Sequence, residues 1–254
     1  MIDTVLFDMG GTLEDIVSTP DTLQRAAQGI TRILNHHNIP VQQSDTEMQM
    51  ILLEGLKRYG DMRDESNIEL KPERIWADYM LSDSGINLKE VEEISEEMAC
   101  AWENLYFERS LRPGVADMLE GLSSLGLKLG IVSNTASLYH VFEQLDKYGI
   151  RKYFSDVTLS SVVGYRKPHP NIFHIALRQM RSRADSSVYV GDTVSRDILG
   201  SSRANFSHNI LIHSQLTKQK DEELIDAPKP DFAVEDITQV LQICQSLVNE
   251  KKEV

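Results

Sequence analysis

Six short apolar runs set the strongest limit on the fold of this chain: "TVLF" (4–7), "LKLGIV" (127–132), "DVTL" (156–159), "SVYV" (187–190), "NILI" (209–212) and "DFAV" (231–234). Most are nearly continuous and do not alternate apolar with polar residues. Such strands are expected to be buried on both faces, as in a parallel sheet covered by helices. The segments between them carry helical spacing. Val115, Met118, Leu119, Leu122 and Leu125 form one stripe, and Gly126 follows as a stop signal. Ile172, Phe173, Ala176, Leu177 and Met180 form a second, and Ile237, Val240, Leu241, Cys244, Leu247 and Val248 a third. Strand and helix alternate from about residue 111 onward, which predicts a doubly wound, Rossmann-like α/β core.

Before that point the rhythm breaks. Between the first strand and residue 110 there is no convincing strand, and helices are expected near 21–37, 45–59, 72–82 and 88–107. In the last of these Leu88, Val91, Met98, Trp102 and Leu105 share a face, with Asn87 and Glu90 placed for a cap. A helical block inserted after the first strand reads as a lid. The predicted division is therefore residues 1–15 and 110–254 for the α/β core and 16–109 for an all-helical cap, with hinges near 15–20 and 108–113. Trp76, Tyr79, Trp102 and Tyr106 are expected to pack inside this lid more than to line a cleft.

The chain has 254 residues, 41% hydrophobic and 26% charged, as in an ordinary globular protein. Its net charge of −13, with no Lys/Arg-rich run, argues against a nucleic-acid partner, which would need a basic footprint. No apolar run approaches the roughly 20 residues of a membrane span, and no basic segment precedes the first apolar stretch as in a secretory signal. The expected setting is cytoplasmic, without a membrane partner, and the distant Cys100 and Cys244 are expected to be reduced core thiols.

Open parallel sheets bind ligands beyond the carboxyl ends of their strands. Here the first strand ends in Asp8, within "VLFDMGGTLED". The second ends "IVSNT" with Ser133, "GYRKPHP" with Lys167 follows the third, and the fourth ends "YVGDTVSRD" with Asp192 and Asp197. This ordered set resembles the haloacid dehalogenase superfamily, most of whose members are phosphatases. The resemblance covers nearly the whole chain, and the insertion falls where that superfamily places a helical cap. It implies a Mg²⁺-dependent hydrolase of a small phosphorylated metabolite. Asp8 would be the nucleophile that becomes an aspartyl-phosphate. Ser133 would donate to a phosphoryl oxygen, with help from amides at the start of the next helix, and Gly11 and Asn134 would lie against the substrate. Lys167 would neutralise charge on the phosphoryl group and Asp8. Asp8, Asp192 and the main-chain carbonyl of Gly10 would hold the metal, and Asp197 would fix Lys167 or a metal-bound water. Thr12 is expected to steady the turn through its hydroxyl, and Arg166 to be a solvated surface charge.

Gly10 departs from the pattern, because phosphatases of this superfamily usually carry a second aspartate there. That residue protonates the leaving group and then activates water, work worth about 10²–10⁴-fold in rate. A carbonyl ligand survives the change; acid–base assistance does not. Three readings follow: a hydrolase of good leaving groups such as acyl or aryl phosphates; a hydrolase whose acid comes from Glu14, His36 or His37; or a changed reaction. Dehalogenases and phosphonate-cleaving members also lack this aspartate. Retention of "GD" at 191–192 argues against the first of these, and nothing marks Lys57, Lys71 or Lys89 as the activated lysine the second requires. A weakly active or regulatory member is the remaining alternative. No GxxxxGK[ST] loop is present, and no GxGxxG follows the first strand.

Overall fold

The computed structural model describes residues 2–214 and 228–249. Its strands, in chain order, are β1 (Thr4–Phe7), β2 (Glu14–Val17), β3 (Glu108–Leu111), β4 (Lys128–Ser133), β5 (Phe154–Leu159), β6 (Ser187–Gly191), β7 (His208–Ile212) and β8 (Phe232–Val234). All six apolar runs join one sheet in the order β5-β4-β1-β6-β7-β8, and every pairing in it is parallel. Period-two alternation then explains why the runs are continuous. Val5 and Phe7 face one core with Met118, Leu122 and Val240; Leu6 faces another with Phe173, Leu177 and Tyr189. β1 is flanked by β4 on one side and β6 on the other, so the chain reverses its direction of travel across the sheet at β1. The tips of β4, β1 and β6 meet at that switch point.

Helices α1 (Pro20–His36), α2 (Asp45–Ser66), α3 (Pro72–Ile75), α4 (Leu88–Glu93) and α5 (Ser95–Tyr106) form the inserted block, with a π turn at Trp76–Met80. Their apolar faces make a separate core that includes Ile30, Leu34, Met48, Leu52, Trp76 and Trp102. Ser44 and Glu47 close a reciprocal capping box at the start of α2. That helix runs seven residues beyond its expected end at 59, stopping at Asn67 in the left-handed region. The expected single helix over 88–107 is two, divided at Ile94, whose backbone leaves helical values. In the core follow α6 (Val115–Ser124), α7 (His140–Lys147), α8 (Ser160–Val163), α9 (Pro170–Gln179), α10 (Leu199–Arg203) and a C-terminal helix, Gln239–Asn249.

The strands β2 and β3 were not expected. They pair antiparallel where the chain leaves and re-enters the core, Glu14 opposite Leu111 and Val17 opposite Glu108. Each is only four residues long, polar and half exposed, and its partner lies more than ninety residues away, so local periodicity gives no signal. The helical block also touches the core elsewhere, through a bridge of Ile68 with Tyr165 and hydrogen bonds Glu69 N–H to Gly164 O and Arg166 N–H to Asn67 O. Cys244 is buried; Cys100 is half-buried, and its thiol donates to Glu143. No helix among the described residues is long and apolar enough to cross a membrane.

Candidate active site

The strand tips bring the polar residues of four distant segments together. Asp8 follows β1 directly; its Oδ1 accepts from the Met9 N–H at 2.7 Å and meets Lys167 Nζ at 2.7 Å. Lys167 also reaches Asp197 Oδ1 at 2.8 Å and the Tyr189 hydroxyl at 3.2 Å. Asp197 is fixed in turn by the Thr193 N–H at 3.0 Å and hydroxyl at 2.6 Å, across a π turn at Val194–Ile198. Asp192 accepts from Ser214 Oγ at 2.6 Å. One carboxylate oxygen from each of Asp8, Asp192 and Asp197 lies within 4.8 Å of the others.

Two glycines allow this approach. Gly11 has a φ of +87°, and a Cβ there would lie 2.3 Å from Asp192 Oδ2. At Gly191 a Cβ would lie 2.3 Å from the Asp197 Cβ.

The crowding shows in the proton affinities. Burial, opposed by Lys167 and assisted by Asp197, pushes the Asp8 carboxyl up to about 6. Burial and then the charges of Asp197 and Asp8 push Asp192 up to about 7. Burial also works against charge on Asp197, but Lys167 and the Thr193 donors outweigh it and hold that carboxyl below its ordinary value. Lys167 is buried too, yet Asp197 and Asp8 keep it more firmly protonated than a free lysine. The donor set thus splits. Asp197 is paired with Lys167, and Asp8 and Asp192 present hard oxygen donors to the same point. Such a pair fits a divalent cation.

Several sequence expectations change. Ser133 lines the cavity, but the next helix starts only at His140, so no helix amides adjoin it; the Leu138 and Tyr139 N–H groups that precede α7 donate to Glu96 of α5. Asn134, expected against the substrate, lines the cavity, and its side-chain amide also brackets Lys167: Oδ1 accepts from the Lys167 N–H at 2.9 Å and Nδ2 donates to its carbonyl at 3.1 Å. Arg166 is not a surface charge. It is 4% exposed, paired with the fully buried carboxylate of Glu69, which also accepts from Tyr59 and Ser160. The Thr12 hydroxyl is buried without a hydrogen-bond partner among the described residues, so it does not steady the turn that way.

Around Gly10, a Cβ would meet Ile16 Cδ1 at 3.3 Å, with Arg109 Nη1 and Glu14 Oε1 both at 3.9 Å. Glu14 is fully buried, paired with Arg109 and accepting from the Tyr148 hydroxyl at 2.9 Å. His36 at the end of α1 and His37 just after it are exposed, the latter bonded to Glu97, and Lys57, Lys71 and Lys89 are exposed. Of the sequence candidates for a replacement group, only Glu14 lines the cavity.

That cavity, about 160 Å³, is lined by Asp8, Gly10, Ser133, Lys167 and Asp192. It is also lined by Arg63, Glu103, Arg109, His140 and Arg196, which sequence reading missed. Arg63 lies past the expected end of α2, Arg109 sits in the unforeseen β3, and the others follow no local pattern. A second cavity of about 270 Å³ adjoins the first; Trp76, Trp102 and Tyr106 contribute to its wall while still packing in the helical core.

A family model described as haloacid dehalogenase-like hydrolase matches residues 2–205. A glyceraldehyde 3-phosphate phosphatase of Methanopyrus kandleri is 26% identical over 251 residues, spanning 98% of this chain and 100% of the relative. A protein of the same name from Pyrococcus abyssi is 30% identical over 203 residues, 79% of this chain and 77% of its own. Among solved structures, a 2-haloacid dehalogenase from Pseudomonas syringae superposes with a TM-score of 0.66 at 22% identity, covering 97% of this chain and 100% of that one, a likeness of fold.

Proposed function

We propose, since this chain belongs to the haloacid dehalogenase-like hydrolase family, that it hydrolyses a phosphorylated small molecule through a phosphoryl group carried on Asp8. The observation that carries this reading is the Asp8–Lys167–Asp197 chain at the β1 tip with Asp192 beside it. The names of its relatives, glyceraldehyde 3-phosphate phosphatases, support the reaction class.

Asp8, Asp192 and the Gly10 carbonyl would hold Mg²⁺, which supplies positive charge against the incoming phosphate dianion. The free Asp8 oxygen attacks phosphorus as the P–O bond to the leaving group breaks, and that oxygen departs with the electron pair. Lys167 offsets charge on both Asp8 and the phosphoryl oxygens, Ser133 donates to one of those oxygens, and Asp197 fixes the lysine. Asn134 sets the position of Lys167 through its backbone. The helical block, residues 16–109, would act as the lid that excludes water during this first step.

Glu14 fills the role left by Gly10 in part. Both its oxygens are engaged as acceptors, from Arg109 and Tyr148, beside the space a side chain at position 10 would take. Such a group can receive the proton of the water that attacks the phosphorylated Asp8. It cannot give one to the leaving group in the first step. The enzyme therefore favours substrates whose leaving group departs unprotonated.

The test is Mg²⁺-dependent turnover of acetyl phosphate and 4-nitrophenyl phosphate, repeated with Asp8→Asn. Loss of at least about 10³-fold is expected, as for other nucleophile removals. A rate that survives Asp8→Asn, or that ignores chelation of the metal, overturns the assignment.

A further inference from the structure

The second cavity narrows the substrate. It adjoins the catalytic one, and Arg63, Glu103, Phe107, Asn134, Thr135 and Arg166 line both. A group bonded to a phosphoryl at Asp8 would therefore pass between these residues into the larger space. Part of its wall is aromatic, from Tyr59, Trp76, Trp102, Tyr106 and Phe107, and the charged Arg63, Glu103 and Arg166 stand on the side shared with the catalytic cavity. Trp102 and Tyr106 stack with centroids 4.6 Å apart and planes 16° from parallel, and Trp76 meets Trp102 edge-on at 6.3 Å. These rings come from α5 and the π turn at Trp76–Met80, so packing in the helical core fixes their orientation. At the mouth the Arg63 guanidinium already lies over the Tyr59 ring at 4.9 Å, and guanidinium faces of this kind also accept aromatic rings.

Size gives a second limit. An apolar cavity of roughly 150 Å³ takes benzene, so the chamber, at about 270 Å³, has room for a two-ring group. Small polar leaving groups such as glycolate would leave it largely unfilled and make none of its apolar contacts.

We infer that this chamber receives an aromatic leaving group, making the preferred substrate a phosphomonoester of an aromatic alcohol. The inference rests on the phosphatase reading above and selects between the two good leaving-group classes. The carboxylate of an acyl phosphate departs more readily still, but a small one such as acetate makes no contact with the aromatic part of the wall. The chemistry at Gly10 agrees. Attack by Asp8 on phosphorus breaks the bond to an aryloxide, whose conjugate acid has a pKa of about 10, as for tyrosine. An alkoxide is nearer the roughly 15.7 of water and would need the missing acid. Water then cleaves the phosphoryl–Asp8 bond, giving inorganic phosphate, and its lost proton ends on the aryloxide through Glu14 and solvent.

Two measurements on the full chain with Mg²⁺ test this. Phenyl and 2-naphthyl phosphate have similar leaving groups but differ in size, so KM should be at least about 10-fold lower for the naphthyl ester, with glyceraldehyde 3-phosphate and phosphoglycolate poorer still. Ala136→Phe, which intrudes on the chamber from the core side, should cut the naphthyl-to-acetyl phosphate selectivity at least 10-fold; a ratio is independent of the fraction folded. Binding can also be read without turnover, since Trp76 and Trp102 are both tryptophans of the chain. The unhydrolysed 4-nitrobenzylphosphonate should quench their fluorescence saturably. Equal KM values for the two aryl esters, preference for the small polar phosphates, or no quenching overturns the aromatic chamber. Absence of any Asp8-dependent turnover, with quenching intact, overturns the phosphatase reading instead.

Discussion

At the scale of single residues, the proposed chemistry turns on Gly10. Its backbone does not need glycine's freedom, since its φ is not in the left-handed region, and a Cβ would only press a terminal methyl of Ile16 at 3.3 Å. A Cβ is therefore accommodated by a small shift of that methyl, and a carboxyl at this position would lie beside both Glu14 and Arg109. Gly10→Asp is expected to raise turnover of alkyl phosphates by about 10²-fold and of aryl phosphates much less. Initial rates on glycerol phosphate and phenyl phosphate check this; an equal gain on both would mean the glycine does not limit leaving-group departure.

At the scale of elements, the junction of α5 with α7 joins the helical block to the core. Glu96 of α5 accepts from the Ser137 hydroxyl and the Leu138 and Tyr139 N–H groups, and Asn104 Oδ1 meets His140 Nδ1 at 3.2 Å and accepts from Gln144 at 2.7 Å. Burial, helped by the charges of Arg109 and Lys147, pushes the His140 imidazole down to about 2, against 6.5 when free. Below pH 6.5 the unfolded chain therefore takes up a proton that the folded chain refuses. Stability falls as the pH drops, by up to about 1.4 kcal/mol per pH unit from this one group, and the effect vanishes above 6.5. His140→Gln should flatten the urea midpoint between pH 6.5 and 4; an unchanged acid slope would show that this imidazole is not held neutral. None of this junction has a sequence signal, because Asn104 and His140 are polar positions on faces that look solvated until the two helices meet.

For the whole molecule, the striking cost is a buried ion pair between the helical block and the core. Glu69 and Arg166 are 5% and 4% exposed, and the Glu69 carboxylate also accepts from Tyr59 on one side and Ser160 on the other. Removing one partner strands the other's charge. Glu69→Gln is expected to lose about 3–5 kcal/mol in urea denaturation, and the double change Glu69→Gln with Arg166→Gln less than the sum. A loss under about 1 kcal/mol would mean that water reaches the pair. The same contact fixes Arg166, which lines both cavities.

Local pattern alone determined the six buried strands, the helices that follow them and the motif residues at the strand tips. Each of those signals is carried by neighbours in the chain: continuous burial, a 3.6-residue stripe, or a polar residue ending an apolar run. Asp8 and Asp192 follow such runs directly, whereas Lys167 and Asp197 lie further on and were legible through the order of motifs that resembles the superfamily. The β2–β3 ribbon, the burial of Arg166, the turning of Asn134 onto Lys167, the approach of Glu14 to position 10 and the aromatic chamber were decided only by the tertiary structure. In every one of those cases the deciding partner lies on a segment distant in the chain or across a turn, and whether a charge is solvated or buried depends on which surface folds against it.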